Sequence, residues 1–200
     1  MDAIVDVVVL LAASPWALVV VAVLCLVDSI VPPLPSEAVV VALVTLGATG
    51  HAPHPLAIGA TIALAATAGD TLAYLLGRAI PSRRLLRARR VRPLARRAAA
   101  LLRARGASTV VAARFVPGLR IAVNATAGAL RMPVGRFVAL VATGATLWAT
   151  LTVAIGVSAA RLLGDAPLLS AAVGALAGLA VGLCIDAVLR RRGAVRSPRA

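Results

Sequence analysis

Asp28-Ser-Ile-Val-Pro-Pro-Leu-Pro-Ser-Glu37 interrupts what is otherwise nearly pure hydrocarbon: neither Trp16–Val27 before it nor Ala38–Leu46 after it carries a charge. Proline removes a backbone donor and clashes with the preceding turn, so no helix passes intact through Pro32, Pro33 and Pro35. The break leaves two limbs of about a dozen residues, each roughly 18 Å long. A hydrocarbon core of roughly 30 Å needs about 20 helical residues, so neither limb crosses alone. The stretch therefore predicts a re-entrant hairpin over residues 15–50, with Asp28 and Glu37 at its tip inside the membrane.

Composition agrees with a membrane setting. Of 200 residues, 61% are hydrophobic, and the mean hydropathy is +0.98; soluble domains run at about 45–50% apolar. The net charge of +14 comes from 21 arginines and no lysine. Cys25 and Cys184 sit apart in apolar stretches and read as reduced, buried small hydrophobes. The N-terminus opens Met-Asp without a basic region, so it reads as retained, not as a cleaved signal.

Outward from the first break, residues 1–14 form a short interfacial helix stopped at Ser14-Pro15. His51-Ala-Pro-His-Pro55 is a polar turn with no Cys or carboxylate nearby, so no metal site is read there. Residues 56–77 make a full transmembrane helix containing one charge, Asp70, with Ala65-xxx-Gly69 allowing a neighbouring helix to approach closely. Residues 78–106 then hold eleven arginines. Leu94, Ala98, Leu101 and Leu102 recur at helical spacing opposite Arg89, Arg92, Arg96 and Arg103, predicting an amphipathic helix on the membrane surface. With no interleaved aromatics, this segment is not a nucleic-acid binder. It serves as a positive-inside determinant, with attraction to anionic lipids worth about 1 kcal/mol per Arg.

Residues 107–131 repeat the opening theme with the charge reversed. Arg114-Phe-Val-Pro-Gly-Leu-Arg120 breaks two short apolar limbs at Pro117-Gly118, a strong turn signal. Residues 136–160 and 166–189 follow as full transmembrane helices, and residues 190–200 form a basic tail. The fold class expected is an all-α polytopic membrane protein. Two opposed re-entrant hairpins pack among about three spanning helices, with the 78–106 segment and the C-terminus cytoplasmic. A competing topology, with residues 4–27 as a spanning helix and the N-terminus inside, stays open.

An ionised side chain in the bilayer centre costs about 2.5–3.5 kcal/mol, so four of them unpaired would cost roughly 10–14 kcal/mol. Mutual pairing of Asp28 and Glu37 with Arg114 and Arg120 is the natural solution. Opposed broken hairpins also form an inverted repeat, the architecture with which transporters build a midplane site. The helix ends near Ser36 and Leu119 offer unpaired N–H groups that attract anions, and an arginine beside one suits phosphate. A purely structural reading runs alongside. Ser36 is a good N-cap and Glu37 a favourable first-turn acid. Asp70 could simply bond a neighbouring helix, and Asn124, one turn beyond Arg120, could do the same.

The motifs together resemble the DedA family of bacterial membrane proteins, which carries the VTT (SNARE-associated) domain, over about residues 15–160. The residues are Asp28-xxx-Pro-Pro-x-Pro-Ser-Glu37, Gly69-Asp-xxx-Tyr74-xx-Gly77-Arg78, and Arg114-Phe-x-Pro-Gly-x-Arg120 with Asn124, Gly128, Met132-Pro133 and Arg136-Phe137. Gly144-xxx-Trp148 also fits. Asp28 and Ser29 stand where many members have Glu and Asn. The resemblance implies facing re-entrant loops and movement of lipids between leaflets of the bacterial cytoplasmic membrane, such as undecaprenyl phosphate or a phospholipid. It implies transport residues Asp28, Glu37, Arg114 and Arg120, supported by Pro35, Ser36, Asp70, Pro117, Gly118 and Asn124. Membrane lipids are the expected partners, with proton coupling and a homo-oligomer both left open; no cofactor, metal or catalytic residue is expected. The chain has no GxSxG, no HExxH and no histidine inside the membrane, so an enzyme is not expected. A proton-coupled carrier of a soluble solute and a purely structural membrane protein are the rivals.

Overall fold

A computed structural model describes residues 11–14, 16–30, 36–80, 92–115 and 119–162, together with 173 and 176. Most of the N-terminal segment, Pro35, Pro117, Gly118, the start of the basic segment, nearly all of the 166–189 helix and the 190–200 tail lie outside the described residues.

Among the described residues the protein is all-helical. Seven helices follow in order: α1 Trp16–Asp28, α2 Ser36–Ala48, α3 Pro55–Ala79, α4 Arg92–Arg105, α5 Ala107–Ala113, α6 Leu119–Ala129 and α7 Val134–Leu162. α1 and α2 have 13 residues each, about 20 Å at 1.5 Å per residue, too short to cross a bilayer. α3 with 25 residues and α7 with 29 are long and apolar enough to cross one. Both run slightly beyond the 56–77 and 136–160 spans expected from hydropathy.

Local chemistry explains the boundaries. α2 stops where Gly50, at φ +83°, enters the left-handed region, while the His51 N–H donates to the Leu46 carbonyl at 2.8 Å. α3 starts with Pro55 in its first turn, and His54 Nδ1 accepts from the Leu56 N–H at 3.3 Å. His51 Nδ1 meets Thr49 Oγ1 at 3.1 Å. Both histidines thus serve the turn between α2 and α3.

α3 is the central helix, packed against α1, α2, α6 and α7. It meets α6 backbone to backbone. A Cβ added at Gly77 would lie 2.1 Å from the Ala125 carbonyl oxygen, and one at Gly128 would lie 2.0 Å from that of Tyr74. Only glycine at both positions permits this crossing, the close approach by which membrane helices gain packing energy. One apolar cluster lies on one side of the junction, with Val21, Val44, Ile58, Ile62 and Ala149. The other holds Tyr74, Ala98, Leu102, Val123, Phe137 and Val141. On α3, Asp70 falls between Ile62 of the first cluster and Tyr74 of the second.

Outward faces are apolar: Val19, Val20 and Val23 of α1, and Leu64, Leu75 and Leu76 of α3, are exposed. That distribution suits hydrocarbon as solvent, where burial of apolar groups gives no advantage over contact with lipid.

The basic helix α4 departs from the expected register. Its buried face is Ala95, Ala98, Ala99 and Leu102, while Leu94 is 38% exposed. The expected apolar face of Leu94, Ala98, Leu101 and Leu102 is therefore rotated by about one position. The cause is the neighbour: α4 packs on α6, and small alanines let two helices seat closely where leucines would hold them apart. Thr109 Oγ1 donates to the Leu101 carbonyl at 3.0 Å and ties the helix to α5.

Candidate functional site

Charged side chains from four helices converge where α1 ends against α3. The first cause is Gly69. A Cβ there would sit 2.6 Å from Ser29 Cβ and 2.9 Å from the Leu26 carbonyl oxygen. Glycine therefore lets the end of α1 lie directly on α3, beside the next residue, Asp70. Ser29 Oγ donates to the Cys25 carbonyl at 3.1 Å and closes the last turn of α1.

Asp70 is the hub. Arg114, at the C-terminal end of α5, donates from Nη1 to Asp70 Oδ2 at 2.6 Å, with side chains only 4% and 2% exposed. Asn124 Nδ2 donates to Asp70 Oδ1 at 2.9 Å, and Arg120 Nε lies 3.8 Å from the same oxygen. Arg120 and Asn124 are one turn apart on α6, so both reach the same carboxylate. Arg120 also bridges to α1: its Nη2 donates to Asp28 Oδ2 at 2.9 Å and to the Asp28 carbonyl at 2.7 Å. That second bond satisfies a backbone acceptor left over at the helix end. This outer pair is more open, at 15% and 18% exposure.

α7 supplies the wall behind Arg114. The guanidinium carbon lies 4.8 Å from the Trp148 ring centroid, a cation–π distance. Gly144, one turn earlier, faces the same side chain: a Cβ there would lie in ordinary contact, 3.7 Å from Arg114 Cδ.

The expected pairing of each first-hairpin acid with a second-hairpin base is half realised. Arg120 takes Asp28, but Arg114 takes Asp70 in place of Glu37. The reason is reach: Arg114 points from the end of α5 across the face of α3, where Asp70 is buried. Glu37 is half-buried in the first turn of α2 and makes no ion pair or hydrogen bond among the described residues. Ser36 does not act as an N-cap: its hydroxyl is buried without a hydrogen-bond partner among the described residues, as is Arg114 Nε. Pro35, Pro117 and Gly118 lie outside the described residues. Trp148 is the contributor that charge counting alone passes over; its only sequence signal is the Gly144-xxx-Trp148 spacing.

The arrangement has two layers. Arg114, Asp70 and Asn124 form a buried inner group backed by the half-buried Trp148, with Arg114 Nε left without a partner among the described residues. Arg120 and Asp28 form an outer pair that a competing anion can reach. Three carboxylates, Asp28, Glu37 and Asp70, act with two guanidiniums, so one negative charge is left over when all are ionised.

The VTT domain profile matches residues 34–158, which include both arginines, Asp70, Asn124 and Trp148. The chain belongs to the VTT domain family. The resemblance to DedA proteins, which carry this domain, therefore holds. This VTT protein is also similar to an uncharacterised membrane protein of Mycobacterium bovis and to others from two strains of Mycobacterium tuberculosis. Each is 33% identical over 139 residues, covering 64% of this chain. The match spans 62% of the relatives' length. No solved structure matches the chain significantly.

Proposed function

We propose that this VTT protein is a translocase that carries a lipid phosphate across the membrane, of the undecaprenyl phosphate or phospholipid class. One observation carries the reading: the buried charge cluster holds two guanidiniums while a buried donor of Arg114 and the Ser36 hydroxyl have no partner among the described residues. A phosphate has the acceptor oxygens to engage both, and planar guanidinium forks suit it well. The outward faces of α1 and α3 are apolar, with Val19, Val20, Val23, Leu64, Leu75 and Leu76 exposed, which supports a hydrocarbon setting for a lipid substrate. A lipid tail would stay in the bilayer while the head group reaches Arg120.

In this mechanism phosphate displaces Asp28 from Arg120, while Arg114 stays held by Asp70 and Trp148. The excess carboxylate takes up a proton when the second anion enters, which couples movement to the proton gradient. The short helices α1–α2 and α5–α6 are read as opposed re-entrant hairpins, with α4 and the C-terminus on the cytoplasmic side of the bacterial inner membrane. The reaction is carriage without bond making, not enzymatic turnover.

The test is reconstitution in liposomes with a labelled lipid phosphate. Arg120→Ala and Arg114→Ala are expected to abolish transfer, and wild-type rates in both variants end the proposal. Flux of a water-soluble phosphate without lipid movement would instead assign the site to a solute.

A further inference from the structure

The arginines of α4 remain outside the charge cluster. Arg96, Arg97, Arg103 and Arg105 are all exposed, because the alanine face of the helix is turned inward onto α6. Arg131, on the turn joining α6 to α7, and Arg136, in the first turn of α7, are exposed as well. The two groups lie at one edge of the molecule. Ala98 and Leu102 of α4 share an apolar cluster with Phe137, and Met132 packs against it. The same edge is where α3 ends: Arg78 Nη1 donates to the Tyr74 hydroxyl at 2.7 Å, the hydroxyl donates to the Met132 carbonyl, and Tyr74 stacks on Phe137.

None of these six arginines makes an ion pair with an acid among the described residues. Of the three acids that the structure describes, Asp28 and Asp70 are paired with Arg114 and Arg120, and Glu37, at the start of α2, makes no ion pair among the described residues. With a net charge of +14, the chain has far too few acids to neutralise its arginines. The counter-charge must come from outside the chain. Interleaved with the arginines are exposed apolar side chains: Leu94 and Leu130 at 38%, Ile80 at 38% and Val134 at 41%. A cationic rim with single apolar residues between its charges suits the headgroup boundary of a bilayer, where stems enter the acyl region and guanidiniums stay with the phosphates. Nucleic acid fits less well: Tyr74 and Phe137, the aromatics of this edge, are fully buried and offer no stacking platform.

We propose that the outward face of α4, with Arg131 and Arg136, is a docking surface for the anionic headgroups of the surrounding membrane. It is a second lipid contact, separate from the buried cluster and independent of the transport reading. Because α4 rests on α6, which carries Arg120 and Asn124, the anionic leaflet bears on the helix that supplies two site residues.

The test uses the full-length protein with Cys25→Ala and Cys184→Ala, and a fluorophore on Leu94→Cys, in nanodiscs. Quenching is compared between phosphatidylglycerol and phosphatidylcholine carrying the same spin label near the top of the acyl chain. Phosphatidylglycerol is expected to quench about fivefold more efficiently per mole at low salt. The preference is expected to fade between about 0.01 M and about 1 M salt, as the Debye length shrinks from about 30 to about 3 Å. Replacing Arg96, Arg97, Arg103 and Arg105 together by Gln should bring the two lipids to parity in a protein that still elutes as one monodisperse peak. Equal quenching by both lipids at low salt overturns the proposal, as does undiminished preference in the fourfold variant. A label that neither lipid quenches, but that responds to added polynucleotide, would give the face to nucleic acid.

Discussion

Asp70→Asn and Asp28→Asn remove the same charge from the two layers of the cluster, and the structure predicts very different outcomes. Asp70 is the one carboxylate paired with Arg114 among the described residues, at 2.6 Å with both side chains nearly inaccessible. Removing one partner of such a pair strands a buried charge, at a cost of about 3–5 kcal/mol. That is about two to three and a half orders of magnitude in the ratio of folded to unfolded protein. Arg120, by contrast, keeps the Asp28 carbonyl at 2.7 Å and Asp70 at 3.8 Å when the Asp28 carboxylate is lost. Its pair is also partly open, so Asp28→Asn should cost only about 1 kcal/mol. The assay is equilibrium unfolding of the purified protein in detergent, with transfer of a labelled lipid phosphate measured on the same preparations. Asp28→Asn should remain folded yet transfer slowly; Asp70→Asn should be lost mainly through instability. In a double-mutant cycle, Asp70→Asn with Arg114→Gln should recover part of the loss, because no unpaired charge remains. Asp28→Asn proving as destabilising as Asp70→Asn would refute the division into an anchored and an exchangeable pair.

Other consequences are sharp enough to measure. Gly128→Ala places a methyl group 2.0 Å from the Tyr74 carbonyl oxygen; forcing α3 and α6 apart should cost about 2 kcal/mol or more. Its control, Gly135→Ala, meets nothing within 4 Å and should be neutral or stabilising by up to about 1 kcal/mol in the same unfolding assay. Trp148→Leu removes the ring under Arg114 and should destabilise by about 2 kcal/mol, with Trp148→Phe intermediate, since the interaction is cation–π and desolvated. Equal losses for Leu and Phe would show that volume matters there and the ring face does not.

Two short helices where one long one would span, a spanning helix bearing one acid, and a basic helix among apolar ones were all legible in the sequence. They follow from local rules: proline ends helices, hydrocarbon demands about 20 apolar residues to cross, and charge avoids oil. The sequence also marked Asp28, Glu37, Arg114 and Arg120 as charges needing partners. It could not say which partner each takes, and here local rules mislead. Glu37 sits at a helix start, where an acid is welcome. Asp28 ends α1 and Arg120 opens α6, each at the helix end that its own charge disfavours. Those two placements are tolerable only because tertiary packing brings them together. The promotion of Asp70 to hub likewise depends on Gly69, Gly77 and Gly128, whose missing side chains let α1 and α6 lie on α3. So too the seating of α4 on its alanines was decided by the neighbour it meets. Periodicity tells which residues share a face, but contact distance between helices is a property of two surfaces at once. For that reason the inventory of charges was readable from one chain of letters, and their pairing only from the fold.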